Sequence, residues 1–459
     1  MDFLIMAGQL ILGLSILVGL HELGHLLAAK AFGMRVEKFS IGFPPTIFKV
    51  QWGETEYGIG AIPLGGYVKI AGMIDESMDK EFLNKEPEPW EFRSKPAWQR
   101  LIVMMGGIIV NVVTGIIIFI LLTYARGEEY IPAEKAKYGI VAREIAQEEL
   151  NLQTGDQIIA INGESFERFN DIRSADVLLG TDAYYTVRRG DKTFDQKIPN
   201  NLMDKLADNR EGFIDDIPVT KDFAIEEVVP DSPADKAGLQ KGDKIIRVES
   251  SPSSSKLKAG LQANGQGTQA GNITYYHELQ AALQENADKE VNVIVQRGNK
   301  QVKKTLQVTK EGKIGFAPSF VKTLYVHNDF TLAESIPKGT TNAFSIIVDN
   351  IRGFGKIFRG EVSASKSLSG PIGIGQIYGA VWIWSKFWFI TGMLSMILAF
   401  MNFLPIPALD GGHVMFLTYE IVSGNKPSDK FLEVSQKVGM LLILCLMAFA
   451  ILNDFIKLL

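Results

Sequence analysis

Four apolar runs, each long enough to cross a lipid bilayer, constrain the fold of this chain more than any other feature. A helix needs about 20 apolar residues to span the hydrocarbon core. Such runs lie at residues 3–31, 99–123, 382–404 and 436–458. The 459 residues are 46% apolar yet 22% charged, which leaves room for water-exposed segments between the runs. The sequence therefore predicts a multi-domain membrane protein with four transmembrane α-helices.

The first apolar run could be mistaken for a secretory signal peptide. However, only Asp2 precedes the run, so a basic leading region is missing, and no small-residue cleavage site follows it. The run is also longer than the apolar part of a signal peptide. We therefore interpret residues 1–31 as a retained transmembrane helix.

Basic residues beside the apolar runs predict the orientation in the membrane, because cytoplasmic loops are enriched in Lys and Arg. They flank the loop at 32–98 and occur in and beside the loop at 405–435, as Lys30, Arg35, Lys38, Arg93, Lys95, Arg100, Lys426, Lys430 and Lys437. Both loops are predicted to be cytoplasmic, which places segment 126–381 and both termini outside.

A net charge of −5 gives no basic surface, so we expect no nucleic-acid partner. Cys445 is the only cysteine, which excludes an intrachain disulfide.

Segment 126–381 contains an internal repeat. The run from Leu152 to Ile159 matches the run from Leu239 to Ile246, and the spacing of 87 residues is the length of one small domain. Each copy has a Gly-Asp turn followed by Ile-Ile, a strand signal. The pattern resembles PDZ domains. We predict two extracytoplasmic PDZ-like α+β modules, at 127–216 and 217–318, with a flexible insertion at 250–272.

A linker at 319–381 follows the repeat and contains a predicted amphipathic helix. Apolar residues at helical spacing fall on one face, namely Phe344, Ile347, Val348, Ile351, Phe354 and Phe358. Such a helix either packs against a domain or lies on the outer membrane surface.

Within the first apolar run the sequence reads His21-Glu22-Leu23-Gly24-His25. Histidines four residues apart share one helix face and can chelate one metal ion, and Glu22 beside them can serve as a general base. The alternative is a chance match whose polar residues are structural. Three ionisable residues within five positions of a membrane span are costly to bury, which favours a catalytic zinc site.

A catalytic zinc ion usually has three protein ligands, so the third ligand must come from elsewhere in the chain. His277 and His327 lie in the predicted extracytoplasmic segment, on the wrong side of the bilayer. Asp410 and His413 follow the cytoplasmic end of the third run, at the predicted depth of the two motif histidines. Composition does not choose between these two candidates.

Together these motifs resemble the site-2-type intramembrane metalloproteases. The resemblance rests on the histidine motif at 21–25, on Asn402, Pro405, Pro407 and Asp410-Gly411 after the third span, and on tandem modules between spans two and three. Residues 62–69 look like that family's membrane-reentrant β-loop, and stretches 369–373 and 453–455 are also similar. Gly42-Phe43-Pro44 departs from the Gly-Phe-Gly expected there.

The resemblance implies one zinc ion per chain, held by His21, His25 and Asp410, with Glu22 as the general base. His413 would then lie outside the ligand set. The residues implied beside the substrate are Asn402, Pro405, Pro407, Gly65, Gly66 and Tyr67. An ordinary hairpin turn is the alternative explanation of the paired glycines.

The activity implied by the resemblance is hydrolysis of a peptide bond in the transmembrane segment of a single-span membrane protein. The implied substrate is an anti-sigma factor already cut outside the membrane by another protease, in an envelope stress response, with remnant signal peptides as further substrates. Membrane lipid is the other expected partner. The expected location is the bacterial inner membrane, with the modules in the periplasm and the active site near the cytoplasmic side.

Two other classes of function compete with a protease. One is a non-catalytic PDZ membrane scaffold, which predicts that Glu22→Gln leaves function intact. The other is a metal transporter, which would carry ionisable residues in several spans, whereas spans two and four have few, Asn111 being the main polar residue of span two. Within the protease hypothesis, the modules either bind a newly exposed C-terminus or exclude substrates with bulky outer domains.

Overall fold

The computed structural model describes residues 2–73, 86–207, 212–221, 223–250 and 272–458, so nearly all of the predicted insertion at 250–272 lies outside the described residues. In chain order the helices are α1 (Asp2–Ala31), α2 (Ala97–Arg126), α3 (Glu144–Leu150), α4 (Ala175–Leu178), α5 (Leu202–Ala207), α6 (Pro233–Lys236), α7 (Tyr276–Glu285), α8 (Val321–Leu324), α9 (Leu332–Phe358), α10 (Ala364–Ser367), α11 (Pro371–Tyr378), α12 (Trp384–Phe403), α13 (Asp410–Ser423) and α14 (Asp429–Leu458). The strands are β1 (Val36–Trp52), β2 (Thr55–Ile70), β3 (Glu128–Tyr130), β4 (Gln157–Ile161), β5 (Tyr184–Arg189), β6 (Lys192–Lys197), β7 (Ile225–Val228), β8 (Lys244–Ser250), β9 (Glu290–Arg297), β10 (Lys300–Gln307), β11 (Phe316–Pro318) and β12 (Val326–Asn328).

The chain divides into two compact units. One unit combines Met1–Gly127 with Asp329–Leu459, and the other is Glu128–Asn328. Among the described residues, four helices are long and apolar enough to cross a membrane, namely α1, α2, α12 and α14, and all four belong to the first unit. The predicted set of four membrane helices is therefore confirmed.

Small residues let the membrane helices approach closely. A Cβ atom added to Gly115 of α2 would lie 2.4 Å from the Met396 sulfur, and one added to Gly392 of α12 would lie 2.8 Å from Ile118. In a lipid environment helices associate through such close packing, because water is not present to drive apolar surfaces together. The contact between α2 and α12 therefore depends on these glycines.

Strands β1 and β2 fold into a small curled sheet beside α1. Lys38 pairs with both Glu56 and Lys69, so the first half of β1 lies between two segments of β2. The second half of β1 pairs with residues 55–60, which leaves residues 66–70 of β2 at one edge. Large apolar side chains on the outer part of the sheet are exposed, namely Ile47, Phe48, Val50 and Trp52.

The two repeat copies in the second unit adopt the same local structure. Each forms a three-stranded antiparallel sheet, β4-β5-β6 in the first copy and β8-β9-β10 in the second. The aspartate of each Gly-Asp turn is buried, and both of its oxygens accept hydrogen bonds from one arginine, Arg189 to Asp156 and Arg297 to Asp243. The repeated motif thus builds the same buried ion pair twice.

Helix α9 packs against α2 and α12 with one face. A Cβ on Gly339 would lie 2.6 Å from the Ile120 Cα, and Ala343 is fully buried. Thr331 and Glu334 form a capping box at its start. The predicted apolar stripe is divided: Ile347 and Phe354 face the spans, whereas Phe344, Val348, Ile351 and Phe358 are exposed. The helix therefore packs on the spans and keeps a second apolar face outward.

The start of α11 is tied to the far end of α14. The Asp454 carboxylate accepts hydrogen bonds from the backbone N–H groups of Gly370, Ile372 and Gly373, at 2.8, 2.9 and 3.0 Å. The neighbouring Asn453 donates to the carbonyl oxygens of Ser365 and Leu368. These bonds satisfy the free donors at the helix start, where a negative charge is favourable.

Candidate metal centre

Two histidines of α1 face one point because they are separated by one helical turn. The Nε2 atoms of His21 and His25 are 3.2 Å apart, and both rings are buried, with 8% and 5% of their surface exposed. The helix can bring them to the interior because Gly24, between them, lies directly against the α2 backbone at Gly106. Two buried imidazoles that face one point can fill two of the four ligand positions of a tetrahedral metal site.

Asp410 joins the two histidines from a distant part of the sequence. Its Oδ2 atom lies 3.1 Å from His21 Nε2 and 3.3 Å from His25 Nε2. This oxygen is buried and has no hydrogen-bond partner among the described residues. Within those residues, the three side chains form the single group of histidine, cysteine or carboxylate residues close enough to share a metal ion.

The loop before α13 turns Asp410 toward the histidines. It follows α12 through Pro405 and Pro407, which cannot continue a helix. Gly411 and Gly412 allow the tight turn, because Cβ atoms there would lie 2.2 Å from the Leu404 oxygen and 2.6 Å from the Ile406 oxygen. The local sequence thus ends α12 and begins α13 with an aspartate that faces the two histidines.

The three ligand atoms have the separations that a tetrahedral zinc site requires. Bonds of about 2.0–2.1 Å in tetrahedral geometry place ligand atoms about 3.3 Å apart, and the observed separations are 3.1, 3.2 and 3.3 Å. Gly107 leaves the space open, because a Cβ there would lie 2.5 Å from His25 Nε2. Two imidazoles and one carboxylate are also an ordinary catalytic donor set for zinc. The residues present therefore fit zinc.

Helix α2 holds the outer nitrogens of both imidazoles. His25 Nδ1 lies 2.8 Å from the Val103 carbonyl oxygen, and His21 Nδ1 lies 3.2 Å from the Asn111 side-chain nitrogen. The sequence marks Asn111 only as the main polar residue of span two and does not assign it to the site. A lone amide in an apolar span was the available signal, because such residues usually have a partner.

Glu22 lies on α1 next to the motif histidine His21 and contacts the edge of the β-sheet. Its carboxylate is hydrogen-bonded by the backbone of Val68 in β2. A Cβ on Gly66 would lie 3.2 Å from the Glu22 Cγ atom and 2.7 Å from the Ser40 carbonyl oxygen. The edge segment of β2 therefore runs directly beside the proposed general base.

The other predicted site residues surround the same region. The Asn402 side-chain nitrogen lies 3.4 Å from His21 Nε2. Gly65 lies under the Phe43 ring, where a Cβ would be 2.2 Å from a ring carbon, and Tyr67 pairs with Ser40 across the sheet. The stretch that departs from the expected family pattern therefore supplies the ring that covers Gly65.

The remaining histidines lie elsewhere. His277 and His327 belong to the unit Glu128–Asn328, whereas the three grouped side chains belong to the other unit. His413 is partly buried on α13 and lines a pocket of about 290 Å³ together with Arg100 and Glu420, whose side chains are 2.5 Å apart. Of the two third-ligand candidates, Asp410 is thus the one placed against both motif histidines.

Comparison with known proteins covers almost the whole chain. The profile of peptidase family M50 matches residues 9–446. The regulator of sigma E protease of Haemophilus influenzae is 28% identical over 479 aligned positions, covering 100% of both chains. A Pasteurella multocida protein whose name is that of a zinc metalloprotease is 29% identical, again over 100% of both chains. Protease RseP of Yersinia pestis is 27% identical over 98% of each chain.

Proposed function

This chain belongs to peptidase family M50 and is a zinc metalloendopeptidase of the membrane, and from that premise we propose that it cuts the transmembrane segment of a single-span protein. The observation that carries the proposal is the meeting of His21, His25 and Asp410 at one buried point between membrane helices. A peptidase with two of its metal ligands inside a candidate membrane span is suited to substrates that lie in the membrane too.

We propose that one zinc ion per chain is held by these three side chains, with Glu22 as the general base. When bound, zinc polarises a carbonyl oxygen and makes water a stronger acid. Glu22 accepts a proton from the attacking water at its carboxylate and passes it to the nitrogen of the departing amine. Its place next to the two motif histidines and against the β2 edge suits both proton transfers.

A helical substrate must be unwound before its peptide bond can be attacked, because its carbonyl groups are hydrogen-bonded within the helix. We propose that the edge of β2 at Gly65, Gly66 and Tyr67 accepts the extended segment by strand addition. Asn402, Pro405 and Pro407 would line the other side of the cleavage site. The support is that the β2 edge contacts Glu22, whereas Asn402 approaches His21.

We propose that the β1–β2 sheet is membrane-reentrant and that the active site lies toward the cytoplasmic side. The exposed Ile47, Phe48 and Trp52 support immersion, since exposed aromatic and aliphatic clusters favour lipid. The pocket that includes Arg100, Glu420 and His413 puts polar side chains on the side predicted to face the cytoplasm.

The two repeat copies are proposed to be PDZ-like modules in the periplasm that exclude substrates with bulky outer domains. A groove of about 540 Å³ runs along Phe213 and Ile214 of the first copy and reaches Gln280 of the second, and a peptide could bind there instead. The two arginines that line it are already paired with aspartates, Arg143 with Asp215 and Arg173 with Asp216. The paired aspartates offset the charge of both arginines, so the groove offers a peptide carboxylate no net positive charge, which supports exclusion over capture.

The preferred substrate in this proposal is a single-span anti-sigma factor shortened by an earlier extracytoplasmic cut, with remnant signal peptides as a second group. The support is similarity to regulators of sigma E protease along the full chain. The protein would then act in the inner membrane of a bacterium, in an envelope stress response.

The test uses the full chain purified in detergent, with zinc content and cleavage of a single-span substrate measured together. Wild-type protein is expected to hold one zinc ion and to cleave. Glu22→Gln is expected to keep zinc and lose cleavage, and Asp410→Asn to lose both. Cleavage at the wild-type rate by Glu22→Gln would exclude Glu22 as the general base, whereas absence of cleavage by the wild type would favour the scaffold hypothesis.

A further inference from the structure

We propose that Asn111 is a positioning residue that fixes His21 in the tautomer able to bind zinc. Asn111 is fully buried on α2, and its side-chain nitrogen lies 3.2 Å from His21 Nδ1. Its side-chain oxygen has no hydrogen-bond partner among the described residues. A buried amide beside a proposed metal ligand, with its acceptor unused, calls for a partner. The inference rests on the metal site proposed above.

The tautomer of His21 follows from which nitrogen faces the other ligands. His21 presents Nε2 to Asp410 Oδ2 and His25 Nε2, so a metal ion there requires the lone pair of Nε2. A neutral imidazole then carries its proton on Nδ1, which must donate a hydrogen bond. The partner of Nδ1 must therefore be an acceptor.

The side-chain amide of Asn111 can supply that acceptor by a half turn about its last bond. With its nitrogen toward His21 Nδ1, two donors face each other and the buried oxygen stays unpaired. The opposite orientation has the same shape, because amide oxygen and nitrogen are nearly equal in size. It lets His21 Nδ1 donate to the Asn111 oxygen. One donor–donor contact and one unpaired acceptor are thereby replaced by a hydrogen bond.

The second histidine shows the same arrangement with a backbone partner. His25 Nδ1 lies 2.8 Å from the Val103 carbonyl oxygen, which can only accept. Val103 and Asn111 are eight residues apart and thus share one face of α2. The Asn111 carbonyl oxygen accepts a hydrogen bond from Ser395 Oγ at 2.8 Å, which ties this point of α2 to α12. Helix α2 thus orients both imidazoles from outside the ligand set.

The experiment measures zinc affinity rather than catalysis. Full-length protein in detergent is stripped of metal, and its zinc dissociation constant is measured by competition with a chromophoric chelator. Asn111→Leu, which keeps the size but removes the acceptor, is expected to weaken zinc binding about 10–100-fold, as is typical for loss of an outer partner of a metal-bound histidine. Asn111→Asp retains an acceptor oxygen at the same position and is expected to bind zinc within about threefold of wild type or more tightly.

A matched control separates positioning from general destabilisation. Thr391→Val removes a buried hydrogen bond between α12 and the Tyr378 hydroxyl of α11, and it should lower the melting temperature without changing zinc affinity. If Asn111→Leu fails to fold, Asn111→Ala tests the same loss of acceptor. Wild-type affinity in the Leu or Ala variant would overturn the positioning role, and so would equal losses in Asn111→Leu and Asn111→Asp.

One further variant tests the proposed metal site itself. His21→Ala should abolish tight zinc binding. If wild-type protein bound no zinc, or His21→Ala bound it normally, the proposed ligand set and the role of Asn111 would both be rejected. Zinc binding that depends on His21 but is unchanged in Asn111→Leu would reject the role of Asn111 alone.

Discussion

Gly24 of α1 and Gly106 of α2 meet backbone to backbone beside the two motif histidines. A Cβ on Gly24 would lie 2.3 Å from the Gly106 carbonyl oxygen, and one on Gly106 would lie 2.5 Å from the Gly24 oxygen. Rotation of a side chain cannot relieve such contacts, because the obstructing atoms are backbone. The approach of the two helices therefore fixes where Val103 and Asn111 stand relative to the imidazoles.

Substituting Gly24 with alanine is expected to push α1 and α2 apart. Overpacking of this kind costs about 1–3 kcal/mol, and here it also moves the histidines away from their partners on α2. We expect Gly24→Ala to lower the melting temperature in detergent and to reduce the zinc content. Both quantities can be measured on one preparation of full-length protein.

The control for this change is Gly353→Ala on α9. No atom lies within 4 Å of a Cβ placed there, and alanine in a helix is favoured over glycine by about 0.5–1 kcal/mol. We expect unchanged zinc content and equal or higher stability. Equal loss of zinc in the two alanine variants would contradict the proposed role of the Gly24–Gly106 contact.

Removing the carboxylate of Asp454 is expected to loosen the attachment of α14 to α11. Asp454→Ala leaves the donors of Gly370, Ile372 and Gly373 without their acceptor, and a hydrogen bond to a charged group contributes about 1.5–3 kcal/mol. The melting temperature should fall clearly. Lys437→Ala on the same helix removes only an exposed pair with Glu433 and should cost about 0.3–0.5 kcal/mol. Similar losses for the two variants would show that Asp454 does not hold the helix end.

The parts of the site that were predictable from sequence depend on local spacing. His21 and His25 could be placed on one helix face because the helical repeat is fixed. Asp410 and His413 were both candidates because orientation in the membrane set their depth. Asp410 is favoured over His413 because it lies close to both histidines. This closeness depends on the turn made by the two glycines that follow Asp410.

Relationships between distant elements were not predictable in the same way. The Gly-Asp turns of the repeat indicated two similar folds, but the arginine partners of Asp156 and Asp243 lie 33 and 54 residues further along the chain. Spacing cannot reveal a partner that is set by strand pairing. Periodicity on α9 likewise identified apolar residues but not which of them contact the spans, because lipid and protein interior are equally apolar. Asn111 was missed as a site residue for the same reason, since its relation to His21 depends on how α2 packs against α1.

The Glu226 carboxyl is expected to make stability depend on pH at the acid end. Lys241 Nζ and Lys322 Nζ each lie 2.7 Å from Glu226 Oε1. The hydrogen bond with Lys241, and then that with Lys322, lower the pKa of Glu226 from 4.5 to about 2. Because the folded-state pKa lies below the unfolded value, the stabilisation is complete above about pH 5 and is lost as pH falls through about 2.

Melting temperatures of full-length wild type and Glu226→Gln, compared from neutral to acid pH, measure this contribution. The wild type should melt higher at neutral pH, and the difference should shrink as the carboxyl becomes protonated. Added salt should also reduce it, because the groups are exposed to solvent. A difference that stayed constant with pH would indicate that the effect of the substitution is not electrostatic.

Substituting Gly66 at the β2 edge is expected to impair cleavage while sparing the metal. A Cβ there would lie 2.7 Å from the Ser40 carbonyl oxygen, 3.0 Å from Val18 and 3.2 Å from the Glu22 Cγ atom. Gly66→Ala should therefore shift the strand edge relative to Glu22, and misplacement of about 1 Å can cost about 100-fold in rate. We expect cleavage of a single-span substrate to fall about 10–100-fold with zinc content unchanged.

Gly58→Ala on the same strand is the matched control, because the nearest neighbour of the added Cβ would be 3.4 Å away, an ordinary contact. That variant should cleave nearly as wild type does. If both alanine variants cleaved alike, the strand edge at Gly66 would not be where the substrate is presented to Glu22.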